Sequence, residues 1–137
     1  MRFLAVDLGD KRTGLAIADE DPPLVHPLFV LEVPIGPLLI KAIENAIIEQ
    51  EAQAIVLGLP LDMNGTVGPR ATLTQAFGNK LEQQISIEVF YQDERLASIA
   101  AEEHLDRSGK THKQKKRVRD ALAAAEILND FLATRTR

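Results

Sequence analysis

The feature that most constrains the fold of this chain is an uninterrupted apolar run near its N-terminus, residues 3–6, followed at once by Asp7 and Gly9. Four consecutive apolar residues without alternation predict a strand buried on both faces, as in the middle of an α/β sheet. A carboxylate at the end of such a strand is costly to desolvate unless it is paired, hydrogen-bonded or bound to a metal. Asp7 either requires a cation or only begins a tight turn, and this segment alone leaves both interpretations open.

The rest of the chain alternates between patterns typical of strands and patterns typical of helices. Strands are predicted at residues 14–18, 26–33, 54–57 and 85–91, and helices at about 37–51, 69–84, 97–105 and 118–132. This order of elements predicts an α/β fold. The 137 residues provide enough apolar content for one core, so a single domain over residues 1–137 is expected.

The composition limits the cellular compartments in which this protein is expected. The chain contains no cysteine, which excludes disulfide bonds and zinc sites built from thiolates. It begins without a basic segment leading into an apolar stretch, and no apolar run is long enough to cross a bilayer. A soluble cytoplasmic protein without a membrane partner is therefore expected.

The charge distribution is uneven, with a basic segment in an acidic protein. The net charge is -4, which by itself disfavours nucleic acid as a partner. Residues 107–119, however, contain no acid and seven of the 16 basic residues: Arg107, Lys110, Lys113, Lys115, Lys116, Arg117 and Arg119. The segment is either a solvated, mobile loop or a surface that attracts a polyanion.

Acidic residues stand at the ends of three predicted elements. Asp7 follows the first strand, Asp93 and Glu94 follow the strand at 85–91, and Asp120 begins the final helix. Because successive residues of a strand point in opposite directions, only one of Asp93 and Glu94 is expected to face the same side as Asp7. Asp120 shares a helix line with apolar residues, so it is expected to point inward, although a helix-capping role is the alternative.

Three converging carboxylates would require a compensating cation. Oxygen ligands without a histidine or cysteine nearby in sequence suit Mg²⁺ or Mn²⁺. In a two-metal site the ions stand about 3.5 to 4 Å apart, one activating water and the other stabilising the leaving oxygen of a phosphodiester. The acids therefore predict a hydrolytic metal site, provided that folding brings them together.

The segment from Leu61 to Arg70 is a loop of turn-forming residues between a predicted strand and a predicted helix. Such loops lie at the carboxyl ends of strands in α/β folds, where ligands bind. Pro69 fits the first turn of the helix, so backbone N–H groups and Arg70 would form an electropositive end. A bound phosphate and an ordinary helix start are both compatible with this pattern.

Four short motifs, found in order along almost the whole chain, carry a resemblance to a known family. They are Val6-Asp7-Leu8-Gly9 with Lys11-Arg12 and Gly14, Gly58-Leu59-Pro60 through Asn64-Gly65 to Gly68-Pro69-Arg70, Asp93-Glu94-Arg95-Leu96, and Asp120-Ala121-Leu122-Ala123-Ala124. On these residues the chain resembles the YqgF (RuvX) family of RNase H-like proteins. Members of that family are described as Holliday junction resolvases and as nucleases that process pre-16S rRNA.

The resemblance implies an α/β RNase H-like fold, with a mixed five-stranded sheet flanked by helices on both faces. It implies that Asp7, Glu94 and Asp120 are the catalytic metal ligands, with Asp93 as the substitute if the strand register differs by one. The implied cofactor is Mg²⁺ or Mn²⁺. One residue departs from the family pattern, because Ala97 stands where the family usually has Thr, and this affects substrate placement rather than metal binding.

Basic side chains are the expected substrate contacts. Arg12, Arg70 and Arg95 are candidates for binding phosphate, because a guanidinium can bind two phosphate oxygens at once. Arg95 is equally well explained by an ion pair that orients an acid. Further cations precede Asp120 and are expected to draw a nucleic-acid backbone toward the acids: Lys115, Lys116 and Arg117. With 4% aromatic residues and no Trp, recognition by shape, strand ends or phosphate geometry is expected rather than base stacking.

The expected function is that of a metal-dependent nuclease acting in 5′-end processing of pre-16S rRNA, with an RNA precursor and the ribosome as partners. A Holliday junction resolvase in DNA recombination and repair is the alternative, with branched or single-stranded DNA as its partner. It would need a homodimer with two active sites related by two-fold symmetry. A non-catalytic nucleic-acid-binding module is a further alternative. An ATP-binding protein of the actin and sugar-kinase type is disfavoured, because the chain is too short for the two domains that enclose the nucleotide.

Overall fold

A five-stranded mixed sheet forms the centre of the structure. The computed structural model describes residues 1–94 and 112–135, the latter segment with side chains from Arg119 onward. The elements are β1 (Arg2–Asp7), β2 (Thr13–Asp19), β3 (Leu24–Leu31), α1 (Pro37–Gln50), β4 (Ala54–Leu59), α2 (Pro69–Ile85), β5 (Glu88–Asp93) and α3 (His112–Arg135). The strand order is β3-β2-β1-β4-β5, with antiparallel pairs up to β1 and parallel pairs beyond it. The predicted α/β class with a mixed five-stranded sheet is confirmed.

The side chains of β1 alternate between the two faces of the sheet. Leu4 and Val6 pack in one apolar cluster with α1 and α2. Phe3 and Ala5 pack in a second cluster with α3. All four of these side chains are 0% exposed. The strand predicted to be buried on both faces therefore runs through the centre of the sheet, with helices on either side.

Helix α3 begins earlier than the apolar pattern indicated, at His112 instead of about Val118. Lysine, arginine and glutamine are good helix formers, so the basic residues before the first apolar position belong to the helix. The interpretation of the basic segment as a loop is therefore wrong from residue 112 onward, whereas the helix expected at 97–105 lies outside the described residues. Although α3 has 24 residues, neither it nor any other helix in residues 1–94 and 112–135 is long and apolar enough to cross a membrane.

Strand β5 also differs from its predicted range. The strand expected at 85–91 begins at Glu88, because α2 extends to Ile85 and is capped by Ser86, which has a left-handed backbone with φ 57°. The strand runs to Asp93, so Glu94 is the first residue beyond it. This shift decides where the two adjacent acids stand relative to the end of the sheet.

Candidate active site

Two acidic residues, Asp7 and Glu94, meet at one end of the sheet and form the acid pair. Asp7 ends β1 and Glu94 follows β5, so both lie at the carboxyl ends of parallel strands. Their side chains are joined by a hydrogen bond. The N–H of Glu94 donates to the carbonyl oxygen of Leu59 over 3.1 Å, which holds this segment against the end of β4, the strand next to β1.

Gly58 makes the acid pair possible. Strand β4 lies between β1 and β5, so the Glu94 side chain has to pass over β4 to reach Asp7. A Cβ at position 58 would stand 2.7 Å from Oε2 of Glu94 and 2.5 Å from Cδ1 of Ile127 in α3. Glycine therefore leaves the room that the carboxylate needs, on the face of the sheet that α3 covers.

The structure distinguishes between the two adjacent acids at the end of β5. Phe90 packs on the α3 face of the sheet, whereas Tyr91 packs on the opposite face. Side chains alternate along a strand, so Glu94 shares the orientation of Phe90. Glu94 is the acid that hydrogen-bonds within the pair, while Asp93 acts on it through its charge, which raises the pKa of Glu94.

Both members of the acid pair have raised pKa values. Burial raises the pKa of Asp7 to about 6, opposed by the hydrogen bond with Glu94 and the charge of Arg70 and assisted by the charge of Asp120. Burial, followed by the charge and the hydrogen bond of Asp7, raises the pKa of Glu94 to about 10. Two carboxylates in contact in a buried site do not both ionise readily, so the pair shares one proton near neutral pH.

Asp120 approaches the acid pair through the contact between α3 and β2. Gly14 is the register partner of Asp7, and the backbone of Asp120 packs directly on it. The charge of Asp120 raises the pKa of Asp7. Burial raises the pKa of Asp120 itself, opposed by the charges of Arg12 and Arg119.

The three predicted ligands are arranged as a pair with the third acid nearby. Oδ2 of Asp120 lies 3.9 Å from Nε of Arg12. In the described part of the chain, no three acidic or histidine side chains are grouped closely enough to hold a metal ion. The chemistry of the donors nevertheless fits Mg²⁺ or Mn²⁺, because carboxylate oxygens are hard ligands and these are partly buried at one end of the sheet.

Arg70 connects the start of α2 with the β1–β2 turn beside the acid pair. Its Nη1 lies 2.5 Å from Oδ1 of Asp10, and its Nη2 donates to the carbonyl oxygen of Leu8 over 3.0 Å. Its charge lowers the pKa of both Asp7 and Glu94. Arg70 is therefore part of the framework of the site, in addition to being a candidate phosphate ligand.

The side chains of the remaining basic residues predicted to bind substrate lie outside the described part of the structure. Arg95 lies outside the described residues. Lys115, Lys116 and Arg117 lie in the first turns of α3, with side chains outside the described part. The helix that carries these three residues leads directly to Asp120, as the sequence predicted.

An acid of the chain itself lies at the N-terminus of α2. Gly68 precedes the helix and Pro69 stands in its first turn, as predicted. A Cβ at Gly68 would stand 2.8 Å from each carboxylate oxygen of Asp62. The carboxylate of Asp62 therefore balances the positive end of the helix, at the place where the sequence also allowed a phosphate.

Three residues that shape the site received no role from the sequence: Gly14, Gly58 and Asp10. A glycine inside a strand indicates a bulge or the close approach of another group, so Gly14 and Gly58 did carry a signal. Asp10 carried none, because its partner Arg70 is 60 residues away in the chain.

The free energy of unfolding of the metal-free protein is expected to fall as the pH rises. The pKa of Asp7 is raised from 3.8 to about 6, so between these values the folded protein binds more protons than the unfolded chain. The stabilisation is fully present below the pKa of Asp7 in the unfolded chain and is lost as the pH rises through its pKa in the folded protein, by on the order of 3 kcal/mol from this residue. Glu94 extends the decline to higher pH. Urea unfolding in EDTA at roughly pH 5 and pH 8 measures the effect.

Two variants provide the comparison for this pH dependence. Asp7→Asn should reduce it, because the amide does not titrate while Glu94 still does. Glu49→Gln removes an exposed acid from α1 and should leave it unchanged. The same decline in wild type and Asp7→Asn would contradict the raised pKa of Asp7.

Comparison with known proteins adds a family match and close relatives. Residues 1–134 match the family RuvX, described as Holliday junction resolvase. A protein of Roseiflexus sp. (strain RS-1) named "Putative pre-16S rRNA nuclease" is 39% identical over 132 residues, which cover 96% of this chain and 93% of that protein. A protein of the same name from Geobacillus sp. (strain WCH70) is 39% identical over 134 residues, covering 96% of this chain and 97% of that protein.

Two solved structures share the fold. The T. thermophilus RuvC structure in complex with a Holliday junction substrate aligns with a TM-score of 0.59 at 14% identity, covering 99% of this chain and 96% of RuvC. The Fowlpox virus resolvase in complex with Holliday junction DNA aligns with a TM-score of 0.63 at 10% identity, covering 100% of both chains. At these identities the similarity concerns the fold, and it confirms the expected RNase H-like architecture.

Proposed function

The chain belongs to the RuvX family, and from this premise we propose that it is a metal-dependent nuclease that hydrolyses phosphodiester bonds in 5′-end processing of pre-16S rRNA. The partly buried acid pair, with Asp120 nearby, is the observation that supports hydrolysis. The name shared by relatives that are 39% identical supports an RNA precursor as the substrate. The ribosome is the setting in which such a precursor would be met.

Asp7 and Glu94 are the residues proposed to hold the metal ion, with Asp120 as the third acid. Their buried carboxylates retain a proton at neutral pH, and a bound cation would take the place of that proton. When bound, Mg²⁺ or Mn²⁺ supplies an activated water and stabilises the leaving oxygen of a phosphodiester.

Arginine side chains around the acids are proposed to orient the substrate. Arg12 lies at Asp120 with its side chain 37% exposed, so its guanidinium can contact a phosphate that approaches the acids. Arg70, held by Asp10 and by the carbonyl of Leu8, keeps a positive charge beside the pair. That charge opposes the repulsion between the carboxylates and an incoming phosphate.

A Holliday junction resolvase is the second candidate function, and the description of the matching family favours it. Resolving a junction requires cleavage of two strands at related positions. This function therefore needs a homodimer with two sites related by two-fold symmetry, and a monomer in solution would count against it.

Cleavage assays with a panel of substrates test the proposal. The purified protein is incubated with Mg²⁺ or Mn²⁺ and single-stranded RNA, single-stranded DNA or four-way junctions, and its oligomeric state is measured in the same buffer. We expect cleavage of single-stranded RNA that stops when EDTA is added. Paired cuts in the junction by a dimer would favour the resolvase, and binding without any cleavage would contradict both functions and leave a nucleic-acid-binding module.

A further inference from the structure

Exposed aliphatic side chains lie on the loop that joins β4 to α2, residues 60–68. Met63 is 71% exposed and Val67 is 53% exposed. The loop begins directly after Leu59, whose carbonyl oxygen accepts the N–H of Glu94 over 3.1 Å. Loops at the carboxyl ends of parallel strands are where α/β folds bind ligands, and this loop starts beside the acid pair.

Hydrogen bonds inside this loop use its polar groups. The Thr66 hydroxyl donates to Oδ1 of Asn64 over 2.7 Å, and the Thr66 N–H donates to the same oxygen over 3.1 Å. The N–H of Gly65 donates to the carbonyl of Asp62 over 2.7 Å, and the N–H of Asp62 donates to the carbonyl of Thr66 over 3.0 Å. The loop is therefore braced internally, while the side chains of Met63 and Val67 are exposed.

The two loops that border the acid pair differ in charge. Residues 59–69 contain one charged residue, Asp62, whose carboxylate lies against the start of α2. The β1–β2 turn, at the end of β1, carries Lys11 and Arg12 in addition to Asp10, whose charge is paired with Arg70. Arg12 lies 3.9 Å from Asp120. A phosphate backbone is favoured at the cationic turn, whereas the β4–α2 loop suits an uncharged part of a nucleotide.

We propose that Met63 and Val67 contact bases of the bound strand beside the scissile phosphate, while the cationic turn contacts its backbone. This inference rests on the proposed nuclease function and specifies its substrate as a strand with unpaired bases at the cleavage site. In a continuous duplex the base faces are stacked on their neighbours, and an aliphatic side chain reaches them only by unstacking the duplex. Met63 and Val67 are therefore specificity-determining residues that favour unpaired RNA over duplex RNA.

Equilibrium binding in EDTA tests this inference without cleavage. Fluorescence anisotropy is measured with a single-stranded RNA of mixed sequence and with an abasic ribose-phosphate strand of the same length. The double variant Met63→Ser/Val67→Ser should bind the RNA about tenfold more weakly than the wild type and bind the abasic strand equally well. The matched control, Leu38→Ser/Ile48→Ser, removes aliphatic side chains that are 76% and 68% exposed on α1, and it should bind both strands like the wild type.

The outcomes separate this inference from the function on which it rests. Equal losses of affinity for both strands, or no loss for either, would overturn the role of Met63 and Val67. If the binding results overturn the role of Met63 and Val67 but the wild-type protein cleaves RNA with Mg²⁺ or Mn²⁺, the nuclease function stands and only the proposed base contacts are rejected. If the wild-type protein cleaves no nucleic acid, the proposed function fails, and the inference fails with it as a statement about a cleavage site.

Discussion

Asp7→Asn is expected to lower the rate of metal-dependent phosphodiester cleavage by about 10³-fold or more. The substitution removes the negative charge at the end of β1 and replaces a carboxylate with an amide, which is a weaker ligand for a hard divalent cation. It also removes the carboxylate whose charge and hydrogen bond raise the pKa of Glu94. The rate is measured under single-turnover conditions with single-stranded RNA at saturating Mg²⁺.

The same variant should be at least as stable as the wild type when metal is absent and the pH is above 6. The buried charge of Asp7 is unfavourable for folding at that pH, and the amide is neutral. Lost cleavage together with an unchanged or raised unfolding midpoint would locate the defect in the site rather than in the fold. Glu49→Gln should keep both properties of the wild type. A rate for Asp7→Asn within about tenfold of the wild type would remove Asp7 from the proposed mechanism.

Gly14→Ala is expected to lower the free energy of unfolding by about 3 kcal/mol. The new Cβ would overlap the carbonyl of Asp120 and stand 2.7 Å from the backbone nitrogen of Ala121. Both are backbone atoms of a helix, so neither can rotate away as the end of a side chain would. Helix α3 has to move away from β2 and take Asp120 with it, so cleavage should fall as well. Urea unfolding followed by circular dichroism measures the stability.

Gly36→Ala is the matched control for this substitution. Nothing lies within 4 Å of a Cβ at position 36, and the backbone there is extended with φ 162°. We expect a change within about 1 kcal/mol, the scale of a substitution at a helix N-cap. Equal stabilities of the two variants would show that the close approach of α3 to β2 at Gly14 does not matter.

The two glycines within the strands act on different members of the site. Gly14 allows the helix that carries Asp120 to lie directly on β2, beside the register partner of Asp7. Gly58 allows the Glu94 carboxylate to cross β4. The arrangement of the acids therefore depends on the absence of a side chain at Gly14 and Gly58 as well as on the acids themselves.

The fold class and the family could be predicted from the sequence. An apolar run at residues 3–6 requires burial on both faces, and the periodicity at 37–51 predicts α1, since both patterns depend only on neighbouring residues. The boundaries of helices and strands were less predictable where a residue is compatible with more than one type of secondary structure. The strand expected from residue 85 begins at Glu88, and α3 begins at His112 because basic residues are compatible with a helix.

The amino-acid pattern alone located the acids near the ends of elements, because the apolar periodicity of a strand or helix stops close to them. Their roles in catalysis and metal binding stay predictions. The family resemblance implied Glu94 ahead of Asp93, and the folded arrangement was needed to show that Glu94 contacts Asp7 and that Asp62 lies at the start of α2. These outcomes depend on which elements lie side by side and how much room remains between them, and local periodicity carries no information about either.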